Sequence, residues 1–228
     1  MKTLLTLSLA ALLCATSVRA DDAHTPRSDL VVRVETCEAI VREFQANPAT
    51  AIPAGVWQRA RGVMILSQFK AGFIFGVKGG YGVLMVKKPN GRWSLPVLID
   101  ASEASLGLQV GAKTVDTICI LTDDATPRLL FTNRLNIGVD AKAVAGPNSA
   151  EYENDATKTF VAPVLVYTKS AGLYAGATVK AGRVQRNDIA NFTLYNTTYT
   201  MPELLYSDWV TPPTEVQPLI SYVEQLSP

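Results

Sequence analysis

The chain predicts an α+β domain with a mainly antiparallel, strongly curved or barrel-like sheet and flanking helices at both ends. Three observations point there. Residues 28–46 repeat apolar groups every three or four positions, the period of a helix. From Val63 the pattern changes to β-rich runs. Those runs are short, closely spaced and punctuated by glycine, which suits antiparallel neighbours within one α+β sheet.

Taken in order, residues 1–20 read as an export signal. Lys2 supplies the charged start, residues 4–13 the apolar stretch, and Val18-Arg19-Ala20 a small-residue cleavage site. The apolar stretch is too short to span a bilayer core, which needs roughly 20 residues. Cys14 follows Leu13, whereas lipoprotein processing wants a small residue there. Residues 21–228 are expected to form a single domain, with its core at about 30–207 and an acidic tail at 208–228. The expected location is periplasmic or secreted, peripherally associated with a membrane.

The helix over 28–46 carries its stripe at Leu30, Val34, Cys37, Val41 and Phe44. Asn47-Pro48 stops it, because proline disfavours helical geometry in the residue before it. Its other face mixes Asp29, Glu35, Glu38 and Glu43 with Arg33 and Arg42. A membrane-surface helix would be basic there, so this helix is expected to pack on the core. A short helix is expected over 53–60. VMILSQF, FIFGV, YGVLMV and WSLPVLI then read as strands, with tight connections at Ala71-Gly72, Gly79-Gly80 and Pro89-Asn90-Gly91. Further strands are expected at 106–111, 114–121, 136–144, 161–168 and 172–184, with a short helix starting near Asp123-Asp124. KAGFIFG at 70–76 is echoed by SAGLYAG at 170–176, and Gly82 by Gly182. Glycines so placed mark bends or close backbone approach.

Catalysis finds no footing. His24 is the only histidine and lies near a chain end, so a serine or cysteine nucleophile has no base. No CxxC, HExxH or histidine pair suggests a metal, and no cofactor is expected. Ser67-x-x-Lys70 matches an SxxK pattern, but it lies in a strand-like run rather than at a helix start. The glycines at 72, 76, 79, 80 and 82 lack the order of a phosphate loop. Cys37 and Cys119 stand as either a disulfide or two buried thiols.

Charge is more informative. The chain holds 21 Lys and Arg against 20 Asp and Glu, which excludes a dedicated nucleic-acid binder. Between Glu43 and Asp100, however, no acid interrupts Arg59, Arg61, Lys70, Lys78, Lys87, Lys88 and Arg92. From residue 200 onward the chain carries Glu203, Asp208, Glu215 and Glu224 and no Lys or Arg. Two readings follow: an anionic partner for the basic stretch, or internal neutralisation by the acidic tail. A second basic group is Lys169, Lys180, Arg183 and Arg186, around the echoed motif. Phe73, Phe75, Tyr81 and Trp93 lie among the cations and suit either an interface or the core.

ARGVMILSQFKAGFIFGVKGGYGVLMVKKPNGRWSLPVLI at 60–99 resembles the opening of the SYLF domain. The resemblance continues through LGLQVGAKTVD at 106–116, IGVDAKAVAGP at 137–147 and YTKSAGLYAGATVKAG at 167–182. Asp188, Asn191 and Tyr195 fit the closing pattern, while Asn148-Ser149 departs where a glycine is common. It implies a phosphoinositide- and phospholipid-binding module; without an SH3 or FYVE region, adaptor and actin roles are not carried over, and with no catalytic footing no enzyme is expected. In a bacterial envelope, phosphatidylglycerol or cardiolipin would be the ligands. The expected function is binding of anionic phospholipid through Lys70, Lys78, Lys87, Lys88 and Arg92, then Lys169, Lys180 and Arg183. The alternatives are an envelope module with a protein partner and a carrier enclosing one apolar ligand.

Overall fold

A computed structural model describes residues 25–132, 134–146, 162–170 and 182–228, without the side chains of 70–78, 103–113 and 170. The expected signal segment, Cys14, His24 and Lys180 lie outside the described residues.

The first helix, α1 (Arg27–Ala46), buries Leu30, Val34, Cys37, Ile40, Val41 and Phe44, the expected stripe plus Ile40. It ends before Asn47, whose side chain accepts from the Ala49 N–H at 2.9 Å in a local turn. A single turn, α2 (Ala54–Trp57), drives Val56 and Trp57 into the core.

The sheet is dominated by two 25-residue strands, β1 (Gly62–Val86) and β2 (Val97–Leu121), paired antiparallel from Gly62↔Leu121 to Leu84↔Val97. Straight, each would span roughly 80 Å, far longer than a domain of this size. Bending is therefore obligatory, and the sheet is strongly curled. The glycines show where β1 returns on itself. A Cβ on Gly80 would stand 2.2 Å from the carbonyl oxygen of Ser67, and one on Gly82 2.2 Å from that of Ile65. Only a bare Cα permits that approach. The register also slips between Phe73 and Phe75.

The described sheet has six strands: β3 (Arg134–Asn136), β4 (Ala143–Ala145), β5 (Val164–Ser170) and β6 (Arg183–Arg186) complete it. All pairings are antiparallel except β4 with β5. Three helices follow: α3 (Asp188–Tyr195), α4 (Met201–Tyr206) and α5 (Gln217–Leu226). Helices thus flank the sheet at both ends of the chain, as expected. Residues 62–66 and 82–86 are buried without alternation, because α1 packs on β1 and its two halves close on each other.

Several strand boundaries are corrected. Ala71-Gly72 and Gly79-Gly80 are not connections; they lie inside β1, where glycine serves bending rather than turning. Only Pro89-Asn90-Gly91 is a turn, with Gly91 at φ 82° and its N–H on the Lys88 carbonyl at 2.9 Å. WSLPVLI yields strand only from Val97, since Pro96 has no N–H for the ladder. The runs 106–111 and 114–121 fuse in β2, and 136–144 divides between the ends of β3 and β4. The helix expected near Asp123 is a 3-10 helix at Thr126–Thr132, and Asp123 Oδ1 accepts from the Ala125 and Thr126 N–H groups. Gly172 and Gly176 of the echoed motif lie outside the described residues.

Candidate functional site

The folding-back of β1 does more than close the sheet. Its two ends meet, and the Lys87 N–H donates to the Arg61 carbonyl at 2.8 Å. Cations 26 positions apart in sequence become neighbours. Two clefts open at this corner. One, of about 400 Å³, is lined by Val56, Gln58, Arg59, Ala60, Arg61, Lys87, Thr122 and Leu165. The other, of about 260 Å³, shares Arg61 and Lys87 and adds Lys88, Arg128, Asp124 and Tyr206. Arg59, Arg61 and Arg128 are exposed. Among the described residues neither Arg59 nor Arg61 stands in an ion pair. Burial raises the Tyr206 phenol, which keeps it neutral beside Arg128.

Of the eight cations expected to bind lipid, the seven at described positions divide between two regions. Lys87, Lys88 and Arg92 belong to the corner, but the C-terminal segment engages all three. Lys88, only 8% exposed at its side chain, pairs with Asp208, which also takes Arg92 Nη2 at 2.6 Å. These two cations hold the Asp208 carboxyl below its ordinary range, led by the Lys88 hydrogen bond. Lys87 Nζ donates to the main-chain oxygens of Ser227 and Pro228. Trp93 Nε1 donates to the Ser227 carbonyl at 3.0 Å from a buried position, so Trp93 belongs to the core. The internal neutralisation anticipated from the acidic tail therefore operates at Lys88 and Arg92.

Four others lie toward the bend. In the backbone register Lys70 stands opposite Lys113 and Lys78 opposite Glu103, with their side chains outside the described set. Arg183 is exposed on β6 opposite Ser102, in the row that β2 extends to Gly79. Lys169 pairs with Glu43 of α1. It sits opposite Asp116, itself bonded by the Ser67 hydroxyl at 3.0 Å. Desolvation raises the Asp116 carboxyl, helped by Glu43. From Gly80 to Val86 is six residues, so roughly 20 Å of strand separates this row from the corner. Lys180 lies outside the described residues.

Ser67 projects from mid-strand, which removes the SxxK reading. No cluster of metal-ligand side chains occurs among the described residues. Asp188, Asn191 and Tyr195 act as fasteners. Asp188 Oδ2 takes Arg186 Nη2 at 2.6 Å, and the Tyr195 hydroxyl donates to the Pro96 carbonyl at 2.6 Å. The Asn191 side chain accepts the Leu98 N–H at 2.7 Å and returns a hydrogen bond to the Leu98 carbonyl at 2.9 Å. It thereby mimics a strand neighbour for β2.

Arg59 and Arg61 entered the basic tally, yet nothing local marked them above the lysines. Arg128 stood outside it. Their importance comes from β1 closing its ends together, a long-range event.

A family model described as "Ysc84: Las17-binding protein actin regulator" matches residues 102–226. Over 176 residues, 76% of the chain, there is 34% identity to LAS seventeen-binding protein 3 of Saccharomyces cerevisiae, covering 38% of that protein. SH3 domain-containing YSC84-like protein 1 of Bos taurus is 28% identical over 206 residues, 88% of the chain and 60% of its own length. The human protein of that name is 29% identical over 187 residues, 79% of the chain and 55% of its own. The chain thus spans between about two fifths and three fifths of these relatives. With over half of its length matched by the family model, and the motifs in order across the fold, the chain belongs to the Ysc84/SYLF domain family.

Proposed function

We propose that this domain is a non-enzymatic module that binds anionic phospholipid at a membrane surface. The observation that carries the reading is the corner where the ends of β1 meet. Arg59 and Arg61 stand there beside Lys87, exposed and without a carboxylate partner among the described residues. Near a bilayer each such cation contributes about 1 kcal/mol of attraction, fading with salt. Lys70, Lys78, Lys169 and Arg183 form a second tier toward the bend, and Lys180, outside the described residues, is assigned to the same tier from the sequence alone. The export-like segment at 1–20 supports action in the periplasm or outside the cell, peripherally on a membrane. No helix among the described residues is long and apolar enough to cross a membrane.

The test is co-sedimentation with vesicles of phosphatidylcholine alone or with phosphatidylglycerol, at low and high salt. Retention on the anionic vesicles only, lost with salt, is the expected result. Reversing Arg59 and Arg61 to Glu should weaken it by at least about tenfold. Reversing Lys78 and Arg183 should do less. Equal retention on both compositions, or none, defeats the reading.

A second reading is favoured by the family description, which names a Las17-binding actin regulator. On it the basic corner meets an acidic protein partner. Binding would then be indifferent to lipid charge, and pull-down would depend on protein.

A further inference from the structure

We infer that Trp209 is an interfacial anchor, whose indole seats among the headgroups of an anionic bilayer and adds an apolar contact to the attraction of the cations. The inference rests on the anionic-membrane reading and goes beyond charge. Trp209 is 64% exposed, whereas Trp57 and Trp93 are buried. An indole combines a large apolar body with a polar N–H, so one held in water with a second ring beside it suits an interface. The ring does not sit on a loose loop. Ser207 caps α4; its hydroxyl donates to the Glu203 carbonyl at 2.6 Å and accepts the Trp209 N–H at 3.3 Å. Asp208, between them, is tied to Lys88 and Arg92. The indole itself leans on Tyr199, with ring centroids 5.2 Å apart and planes tilted by 53°. Tyr199 in turn is half-buried and packs against the core. Each tie reduces the ordering cost when the ring meets a partner.

Charge selects the partner. Asp208 answers two cations, Lys88 and Arg92, so the turn beside Trp209 keeps a net positive charge although it carries a carboxylate. Glu203 is held at the start of α4 by the Thr200 N–H and hydroxyl. Lys88 shares the smaller cleft with Arg128, and Leu129, next in the chain, is a further exposed apolar side chain. A ring among cations fits the boundary between anionic headgroups and acyl chains: the indole enters, and the charged groups stay level with the phosphates. A second copy of the chain would bring the same positive charge to the contact, which disfavours it.

Because the other two tryptophans are buried, solvent-exposed indole emission reports on Trp209. The full chain is titrated with vesicles of phosphatidylcholine and phosphatidylglycerol, plain or with acyl chains brominated near the headgroup or near the bilayer centre. The expected result is a blue shift on the anionic vesicles and quenching chiefly by the shallow bromines. Trp209→Ala should abolish both and lower vesicle affinity several-fold, without changing how steeply affinity falls with salt. Arg59→Glu/Arg61→Glu, by contrast, should flatten that fall, since only charge is screened. Retention on anionic vesicles with no blue shift, and equal affinity in Trp209→Ala, would overturn the anchor and leave the membrane reading standing. Neither retention nor shift would overturn both. A blue shift that grows with protein concentration in the absence of vesicles would place a second copy over the ring and also overturn the anchor. Should Trp209→Ala lose its fold, bromine quenching of the unaltered chain decides: quenching by neither lipid while the chain is retained overturns the anchor.

Discussion

Asn191 shows how one side chain can stand in for a strand. Its carboxamide both accepts from and donates to the backbone of Leu98, and it also donates to the Asn187 carbonyl at 2.7 Å. The residue is buried, so truncation strands the Leu98 groups without water. Asn191→Ala should destabilise the domain by about 3 kcal/mol, from unsatisfied buried groups at roughly 1–3 kcal/mol each. Urea denaturation checks this; a change under about 1 kcal/mol would show that water reaches the site. At the surface, Glu215 takes Arg27 Nη1 at 2.8 Å, and that hydrogen bond leads its carboxyl down to about 2 from 4.5. A depressed carboxyl stabilises the fold above its unfolded value and loses that contribution as protons bind the native state. Wild type should therefore exceed Glu215→Gln in stability above pH 4.5 and converge on it as pH falls toward about 2. Thermal melts across that window decide it.

At the scale of elements, β1 is the informative case. Its β-rich, glycine-punctuated composition was legible, and the strand assignments at 63–69 and 81–86 are right as far as they go. What the residues did not reveal is that glycine here permits close crossing instead of ending a strand. The two roles share a composition and differ only in what lies opposite. Gly82→Ala places a methyl 2.2 Å from the Ile65 oxygen and should cost about 3 kcal/mol, at the upper end for overpacking. Gly79, with nothing within 4 Å of an added Cβ, should tolerate Ala within about 0.5 kcal/mol. Chemical denaturation of the pair tests whether the closure, and not glycine content, is what matters; similar losses would refute it. For α1, periodicity sufficed, because an amphipathic stripe specifies its buried face without reference to the partner.

For the whole molecule, the acidic C-terminal segment and the basic hairpin turn are one assembly. Asp208, Ser227 and Pro228 hold Lys87, Lys88 and Arg92, while α5 packs on α1. The cations with most of the early claim on a ligand thus stabilise the closure of the fold, and Arg59 and Arg61 remain for a partner. The two thiols tell a related story. Cys37 and Cys119 are both buried and are not joined in a disulfide, and desolvation raises the Cys37 thiol, with Asp116 nearby. In a protein whose residues 21–228 alone are present, a thiol reagent should find none in the native state and two after denaturation, and reductant should leave the melting temperature unchanged. Rapid labelling of the native protein would contradict the packing around α1.

By itself the sequence determined the class of fold, the buried face of α1, the scarcity of histidine and the uneven spread of charge. Each of these is local: a period, a composition or a missing residue type reads the same in any context. Which cations face a ligand was decided only in the tertiary structure. Ion pairing and the meeting of the ends of β1 join residues 26 to 188 positions apart. Neither a spacing nor a propensity encodes such contacts; they exist once the strand has bent over its glycines and the C-terminal segment has docked.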